Sequence, residues 1–312
     1  MLRTHRLATS DGHELYVPEF GRADGIAALI LHGGPGSGSS PLLRRFFDPS
    51  VYRLICPDQR GAGASRPHGS TLHNTTDHLL DDLQSLRRHL GLQRWLVVGG
   101  SWGATLALAY AALEPAAVTA LLLRATFAAQ RDDVDWFFQG AAALNPAAWQ
   151  RFASVAPAEH RHALLPWFAE ALGVGEPALQ AHVAQAWWRW EQCLASGAEP
   201  AEPPQGAALA ALVGRYRVQS HYLQHDCWLR APSLPDRCSN VPNIPTLMLH
   251  GRDDRICRPA GAVALHGRLP HARFRWVEGA GHDPSHPAMA TAMRAALDHF
   301  ARQLDFDAAA PP

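Results

Sequence analysis

The 312-residue sequence contains no lysine, so arginine is the only strongly basic side chain. A phosphate-cradling loop of the P-loop kind needs a lysine and is excluded, and no GxGxxG stands in for it. Excess charge is missing too, because 28 basic residues balance 28 acidic ones and no basic run occurs. That argues against nucleic acid or an anionic membrane as the main partner. Cys56, Cys193, Cys227, Cys238 and Cys257 are odd in number and widely spaced, with no CxxC pair. They read as free thiols in a reducing compartment, so the expected location is the cytoplasm. Histidine is abundant, yet no HExxH or comparable ligand spacing is found, and neither a metal nor another cofactor is expected. Residues 1–17 lack an apolar h-region, and no apolar run approaches membrane-spanning length. What is present is 47% hydrophobic residues, enough for one large α/β core carrying an insertion or for two modest domains.

Polar and apolar residues alternate from about Arg3 to Phe20 around Ser10-Asp11-Gly12, which predicts an antiparallel hairpin. Short apolar runs at 27–31, 52–56, 118–124, 246–250 and 274–277 predict buried strands. Helical spacing predicts a helix over 75–90, with Asn74 or Thr75 as its N-cap, and an amphipathic last helix over 289–304. Residues 305–312 read as a frayed tail. Strands alternating with helices, each strand nearly all apolar, imply a mostly parallel sheet covered on both faces. That alternation stops between about 130 and 240, where helical segments and proline-broken loops, including one over 197–206, hold seven tryptophans. The predicted organisation is an α/β core over 1–130 and 241–312, with a helical cap inserted at 131–240. The tryptophans are chiefly the core of that cap.

The stretch Leu96-Val97-Val98-Gly99-Gly100-Ser101-Trp102-Gly103-Ala104 reads as strand, tight turn and helix with Ser101 at the apex. Gly99, Ser101 and Gly103 form G-x-S-x-G, a nucleophile elbow. The bend leaves no room for Cβ atoms two residues either side of the serine. An incidental serine in a glycine-rich turn is the alternative, and the flanking strand and helix favour the nucleophile. A serine hydroxyl needs a base, and the base needs an orienting acid. Their expected places are loops after later strands, in the order serine, acid, histidine. His282, after a glycine, is the candidate base and His286 its rival, further from the strand end and next to Pro287. Spacing alone leaves Asp253 and Asp254 open as the acid. Two donors must face a developing oxyanion. The backbone N–H groups of Trp102 and of Gly34, in His32-Gly33-Gly34-Pro35-Gly36, are the candidates. Asp58 to Ser65 reads as a loop that shapes its neighbour rather than one that does chemistry.

Taken together these stretches resemble the proline iminopeptidases of the α/β-hydrolase fold. The matching segments are HGGPG at 32–36, DQRGAGAS at 58–65, NTT at 74–76, RWLVVGGSWGATLALAY at 94–110, AWWRWE at 186–191, HGRDDRIC at 250–257 and GAGH at 279–282. They follow the family's order along almost the whole chain. The resemblance implies a triad of Ser101, Asp254 and His282, a mainly helical cap, no cofactor, and release of N-terminal proline from peptides. It also implies that two cap glutamates read the free imino group. One is present as Glu191; the other is Gln219, and the pocket phenylalanine four residues on is Leu223. Phe127 and Cys257 match further positions around the proline ring. Replacing a charge-assisted hydrogen bond by a neutral one costs on the order of 1–2 kcal/mol. Prolyl efficiency is therefore expected to fall, or preference to shift, with hydrolysis intact. The competing readings are an esterase or amidase that no longer requires a free amine, and an inactive hydrolase fold kept for binding. Relatives with an aspartate nucleophile are disfavoured because the elbow carries Ser101.

Overall fold

The computed structural model describes residues 2–198, 200 and 202–306. Its strands are β1 (Arg3–Ala8), β2 (Glu14–Gly21), β3 (Ile26–Leu31), β4 (Tyr52–Ile55), β5 (Trp95–Gly100), β6 (Val118–Arg124), β7 (Thr246–Gly251) and β8 (Arg273–Val277). They form one eight-stranded sheet in the order β1-β2-β4-β3-β5-β6-β7-β8. The β1–β2 hairpin and the β2–β4 pair are antiparallel, and every pairing from β4 to β8 is parallel. Strand order reverses at β3, which lies between β4 and β5. In a parallel sheet the carboxyl ends at such a reversal leave a crevice, because the following helices depart to opposite faces.

Side chains alternate across the sheet as a period of two requires. Leu29, Leu31, Val97, Leu121 and Leu123 pack into one core, while Ala28, Ile30, Leu96, Val98, Ala120 and Leu122 pack into the other. The helices are α1 (Pro41–Arg44), α2 (Thr76–His89), α3 (Trp102–Leu113), α4 (Arg131–Phe138), α5 (Pro146–Ala153), α6 (Leu164–Val174), α7 (Pro177–Ser196), α8 (Gly206–Gln224), α9 (Leu234–Arg237), α10 (Pro259–His266) and α11 (Pro287–Gln303). Thr75, not Asn74, caps α2, accepting from the His78 N–H. Asn74 is buried and accepts from the Tyr222 hydroxyl at 2.8 Å. Helix α3 is buried from Trp102 to Ala111, as a helix with apolar residues on every face and no charged one must be.

Between β6 and β7 the described residues contain helices and 3-10 turns but no strand. The tryptophans there divide as their burial dictates. Trp187 and Trp190 are sealed among Phe137, Phe138, Phe152 and Phe168. The block is fastened to the sheet side by Asp133 with Arg258 at 3.0 Å and by Trp136 Nε1, which donates to the Arg255 carbonyl at 2.8 Å.

Two expectations need correction or restriction. The chain does not fray at 305: Arg273 donates to both carboxylate oxygens of Asp305, and Phe306 is buried against Phe300. Apolar burial of one aromatic outweighs the fraying tendency of a terminus. Residues 307–312 of the expected tail, and 199 and 201 of the expected loop, lie outside the described residues. The five cysteines are buried and form no disulfide. No described helix is long and apolar enough to cross a membrane.

Candidate active site

Ser101 stands at the junction of β5 and α3 with φ 57° and ψ −124°. That conformation is costly for a residue with a Cβ, and it persists because the surroundings dictate it. The Ser101 N–H donates to the Arg124 carbonyl on β6 at 2.9 Å, and its own carbonyl accepts from Ala104 N at 3.0 Å. Glycine is required on both sides. A Cβ on Gly99 would strike the Gly103 carbonyl, and one on Gly103 would strike the Leu31 carbonyl of β3. The sequence Gly-x-Ser-x-Gly is thus what close packing of β3, β5 and α3 permits.

The loops after β7 and β8 bring Asp254 and His282 together. The His282 Nδ1–H donates to Asp254 Oδ2 at 2.9 Å, and the N–H groups of Ile256 and Cys257 donate to Asp254 Oδ1, each at 2.9 Å. Burial opposes ionisation of Asp254, but the imidazole and these donors outweigh it and keep the carboxyl below its ordinary range. Burial likewise opposes the imidazolium, and the Asp254 carboxylate raises the His282 pKa above the usual histidine value. Asp253 and His286, the rivals, are elsewhere: both line a neighbouring polar cavity of about 730 Å³, which His282 also borders. The Ser101 hydroxyl lies 3.6 Å from Cys257 Sγ, and no hydrogen bond joins it to His282 among the described residues. Burial pushes the Cys257 thiol up, so it remains protonated.

Gly34 has φ +113° and lines the same cavity as Ser101, and a Cβ on Gly33 would sit 3.6 Å from Ser101 Cβ. The Trp102 N–H, in the first turn of α3, has no intrahelical acceptor. One side chain ties these two pieces. Gln59 donates through Nε2 to the His32 carbonyl at 3.1 Å and accepts from Trp102 Nε1 at 2.9 Å, while its backbone N–H donates to His32 Nε2 at 3.0 Å. The loop over 58–65 therefore does shape its neighbour. Arg124 was not foreseen. It is buried at the end of β6 and donates to the His282 carbonyl at 2.7 Å, which fixes the loop bearing the imidazole. A lone charge closing an apolar strand beside the elbow was its sequence signature.

Ser101, Gly34 and His282 line a cavity of about 330 Å³ together with Glu191, Gln219, Phe127, Leu223 and Cys257, all five of the expected pocket residues. Its aromatic lining is Phe127 and Phe137 rather than tryptophan. Arg215 lines it too. Its Nη2 donates to Glu191 Oε1 at 2.6 Å, and the Tyr216 hydroxyl donates to Glu191 Oε2 at 2.6 Å. Burial disfavours the Arg215 charge, and the Glu191 carboxylate more than offsets that, raising the pKa. Tyr216 is stacked on Trp187 at 4.8 Å, which holds its hydroxyl on the carboxylate. Arg215 and Glu191 lie on different helices, and no spacing rule links them.

The family model described as alpha/beta hydrolase fold matches residues 28–287. The proline iminopeptidase of Xylella fastidiosa (strain 9a5c) is 39% identical over 299 residues, covering 94% of this chain and 95% of that protein. That of Arabidopsis thaliana is 38% identical, covering 91% of this chain and 76% of its own. The chain belongs to the proline iminopeptidase family. Among solved structures, a proline iminopeptidase from Mycobacterium smegmatis is similar at 21% identity and a TM-score of 0.63, covering 96% of this chain and 98% of that one. VinJ is similar at 19% identity and a TM-score of 0.67, covering 97% and 99%. At those identities the two structures speak for the fold. Gln219 and Leu223, the two positions where the resemblance implies a glutamate and a phenylalanine in the family, both line the cavity that holds Ser101.

Proposed function

We propose that this chain is a serine hydrolase that releases proline, or another small residue, from the N-terminus of a peptide through an acyl-enzyme. The observation that carries this reading is that Ser101, on its left-handed bend, and His282, backed by Asp254, border one small cavity. In this mechanism neutral His282 Nε2 takes the Ser101 proton as Oγ attacks the scissile carbonyl, and the oxyanion is met by the Gly34 and Trp102 N–H groups. The Ser101 hydroxyl turns from Cys257 towards the imidazole as the substrate enters. His282 then gives the proton to the departing amine, and water repeats the sequence in reverse order. Asp254 holds the ring and stabilises the imidazolium.

A volume of about 330 Å³ suits one small residue, so cleavage occurs at the chain end. The helices over 131–240 serve as a cap, contributing Glu191, Gln219 and Leu223 to the pocket, and peptide is the partner. Five buried thiols suit a reducing cytoplasm. The test pairs turnover of prolyl-p-nitroanilide with labelling by a fluorophosphonate probe. Ser101→Ala is expected to abolish labelling and to lower kcat by roughly 10⁴-fold or more. Unchanged turnover in that variant would place the nucleophile elsewhere; absence of labelling in the parent protein would leave a binding protein.

A further inference from the structure

Each half of a cleaved peptide needs its own space, and the two spaces must meet at the imidazole. The acyl half lies with Ser101 in the cavity of about 330 Å³. The other half leaves on the nitrogen that takes its proton from His282, so it extends past His282 and away from the acyl residue. The polar cavity of about 730 Å³ adjoins the first on that side, because His282, Glu191, Ile256 and Pro284 line both. Its volume falls within the roughly 300–1,000 Å³ usual for a small-molecule site. One wall is the end of α7, with Gln192 and Ser196, and the other is the pair of loops after β7 and β8. The walls approach each other at Gly281, where a Cβ would stand 3.7 Å from the Ala195 carbonyl.

The lining carries both signs of charge. Its acids are Asp253, Asp283 and Glu191, and both oxygens of Glu191 are taken by Arg215 and Tyr216. Asp283 accepts from the N–H and the hydroxyl of Ser285. The guanidinium is that of Arg255, an exposed residue of the loop after β7 whose carbonyl accepts from Trp136 Nε1 at 2.8 Å. It lies beside the end of α7, where a Cβ on Gly197 would stand 3.3 Å from Nη1. Among the described residues no ion pair occupies it. What leaves a dipeptide or a tripeptide is a zwitterion. Its ammonium forms at the broken bond, beside His282 and its neighbour Asp283, and its carboxylate stands at the other end. A planar guanidinium matches a carboxylate with two parallel hydrogen bonds. An amidated peptide has no such group, and a longer one carries it outside the cavity.

We propose that the cavity between α7 and the loops after β7 and β8 holds the leaving part of the peptide, and that Arg255 receives its free C-terminal carboxylate. Dipeptides and tripeptides are then the preferred substrates. The proposal rests on the serine hydrolase reading above and deepens it by naming the other half of the substrate. An arginine beside the C-terminal end of a helix also complements the helix dipole. That role changes stability and leaves discrimination between a carboxylate and an amide untouched, so the two roles separate in kinetics.

The experiment measures kcat/KM for prolylglycine and prolylglycylglycine, each as the free acid and as the C-terminal amide, in the parent enzyme, in Arg255→Gln and in Arg255→Glu. Prolyl-p-nitroanilide serves as the substrate with no carboxylate at all. In the parent enzyme the acid is expected to exceed its amide by about threefold or more for at least one of the two lengths. Arg255→Gln is expected to bring acid and amide level, and Arg255→Glu to favour the amide. A ratio of acid to amide below about threefold at both lengths in the parent enzyme overturns the proposal whether or not the variants fold, and so does a ratio that Arg255→Glu leaves unmoved. Turnover of the anilide with acid and amide treated alike removes Arg255 from recognition and leaves the serine hydrolase reading standing. A parent enzyme that turns over neither the anilide nor the peptides overturns that reading itself.

Discussion

At the scale of single residues, the proposed chemistry turns on how Asp254 and His282 set each other's charge. Asp254 is held ionised by three donors, and it in turn holds the proton on His282. A base works only after losing that proton. Because the folded pKa lies above the ordinary value of about 6.5, the working form is lost as pH falls through the raised value, and kcat/KM is expected to climb on the alkaline side of neutrality. Asp254→Asn removes the carboxylate that raises it. Its acid limb is expected to move to lower pH while kcat drops by roughly 10³–10⁴-fold, because the amide also favours the wrong tautomer. A pH profile of the two proteins on one anilide is the check. An acid limb that stays in place in Asp254→Asn would mean that another group sets it. Spacing could not choose between Asp253 and Asp254, since both follow β7 in one loop. The backbone decides, turning the second inward and leaving the first exposed on the neighbouring cavity.

Elements were legible where a local rule governed them. The strands from β3 to β8 announce themselves as short apolar runs, and the elbow announces itself because three elements meet too tightly for side chains. The same rule makes a prediction. Gly103→Ala forces a methyl against the Leu31 carbonyl of β3, with the His32 carbonyl 2.9 Å away, so α3 has to move off the strand that feeds the Gly34 loop. Overpacking of this kind costs about 1–3 kcal/mol. A shift of even 1 Å in reacting groups can cost about a hundredfold in rate. The variant is expected to remain folded, with a lower Tm and a kcat reduced at least tenfold, roughly, for a loss of geometry. Circular dichroism melting alongside anilide kinetics tests it; full activity would show that the elbow tolerates a Cβ there. Elements were illegible where distant residues decided. Glu191 on α7 and Arg215 on α8 pair across two helices, and Asp305 is held by Arg273 on β8, so neither relation leaves a trace in local pattern.

At the scale of the whole molecule, charge buried at the antiparallel end of the sheet limits stability in acid. Glu19 on β2 is 1% exposed and takes hydrogen bonds from Arg53 of β4 at 2.5 Å and from His5 of β1 at 2.5 Å, so one carboxylate joins three strands. Burial opposes its charge, and these two partners outweigh burial, which leaves its pKa lowered, as it is for Asp254. A depressed folded pKa contributes stability that is present above the unfolded value, about 4.3 for a glutamate, and is lost as pH falls through the folded one. Asp82 and Asp133 act in the opposite direction. Burial raises both, so the folded protein takes up their protons first on mild acidification and offsets part of the loss. Unfolding is therefore expected to set in steeply below about pH 4 rather than gradually from neutrality. Glu19→Gln separates the ionic part from the packing. At neutral pH it leaves the half-sheltered Arg53 guanidinium without its carboxylate, and breaking such a pair costs about 3 kcal/mol. As pH falls, the parent protein protonates Glu19 itself and comes to resemble the variant. Urea melts of the two proteins are thus expected to differ most near pH 7 and to converge as pH falls below the ordinary carboxylate range. A constant gap across that range would mean that the shape of the side chain, and not its charge, holds β1, β2 and β4 together.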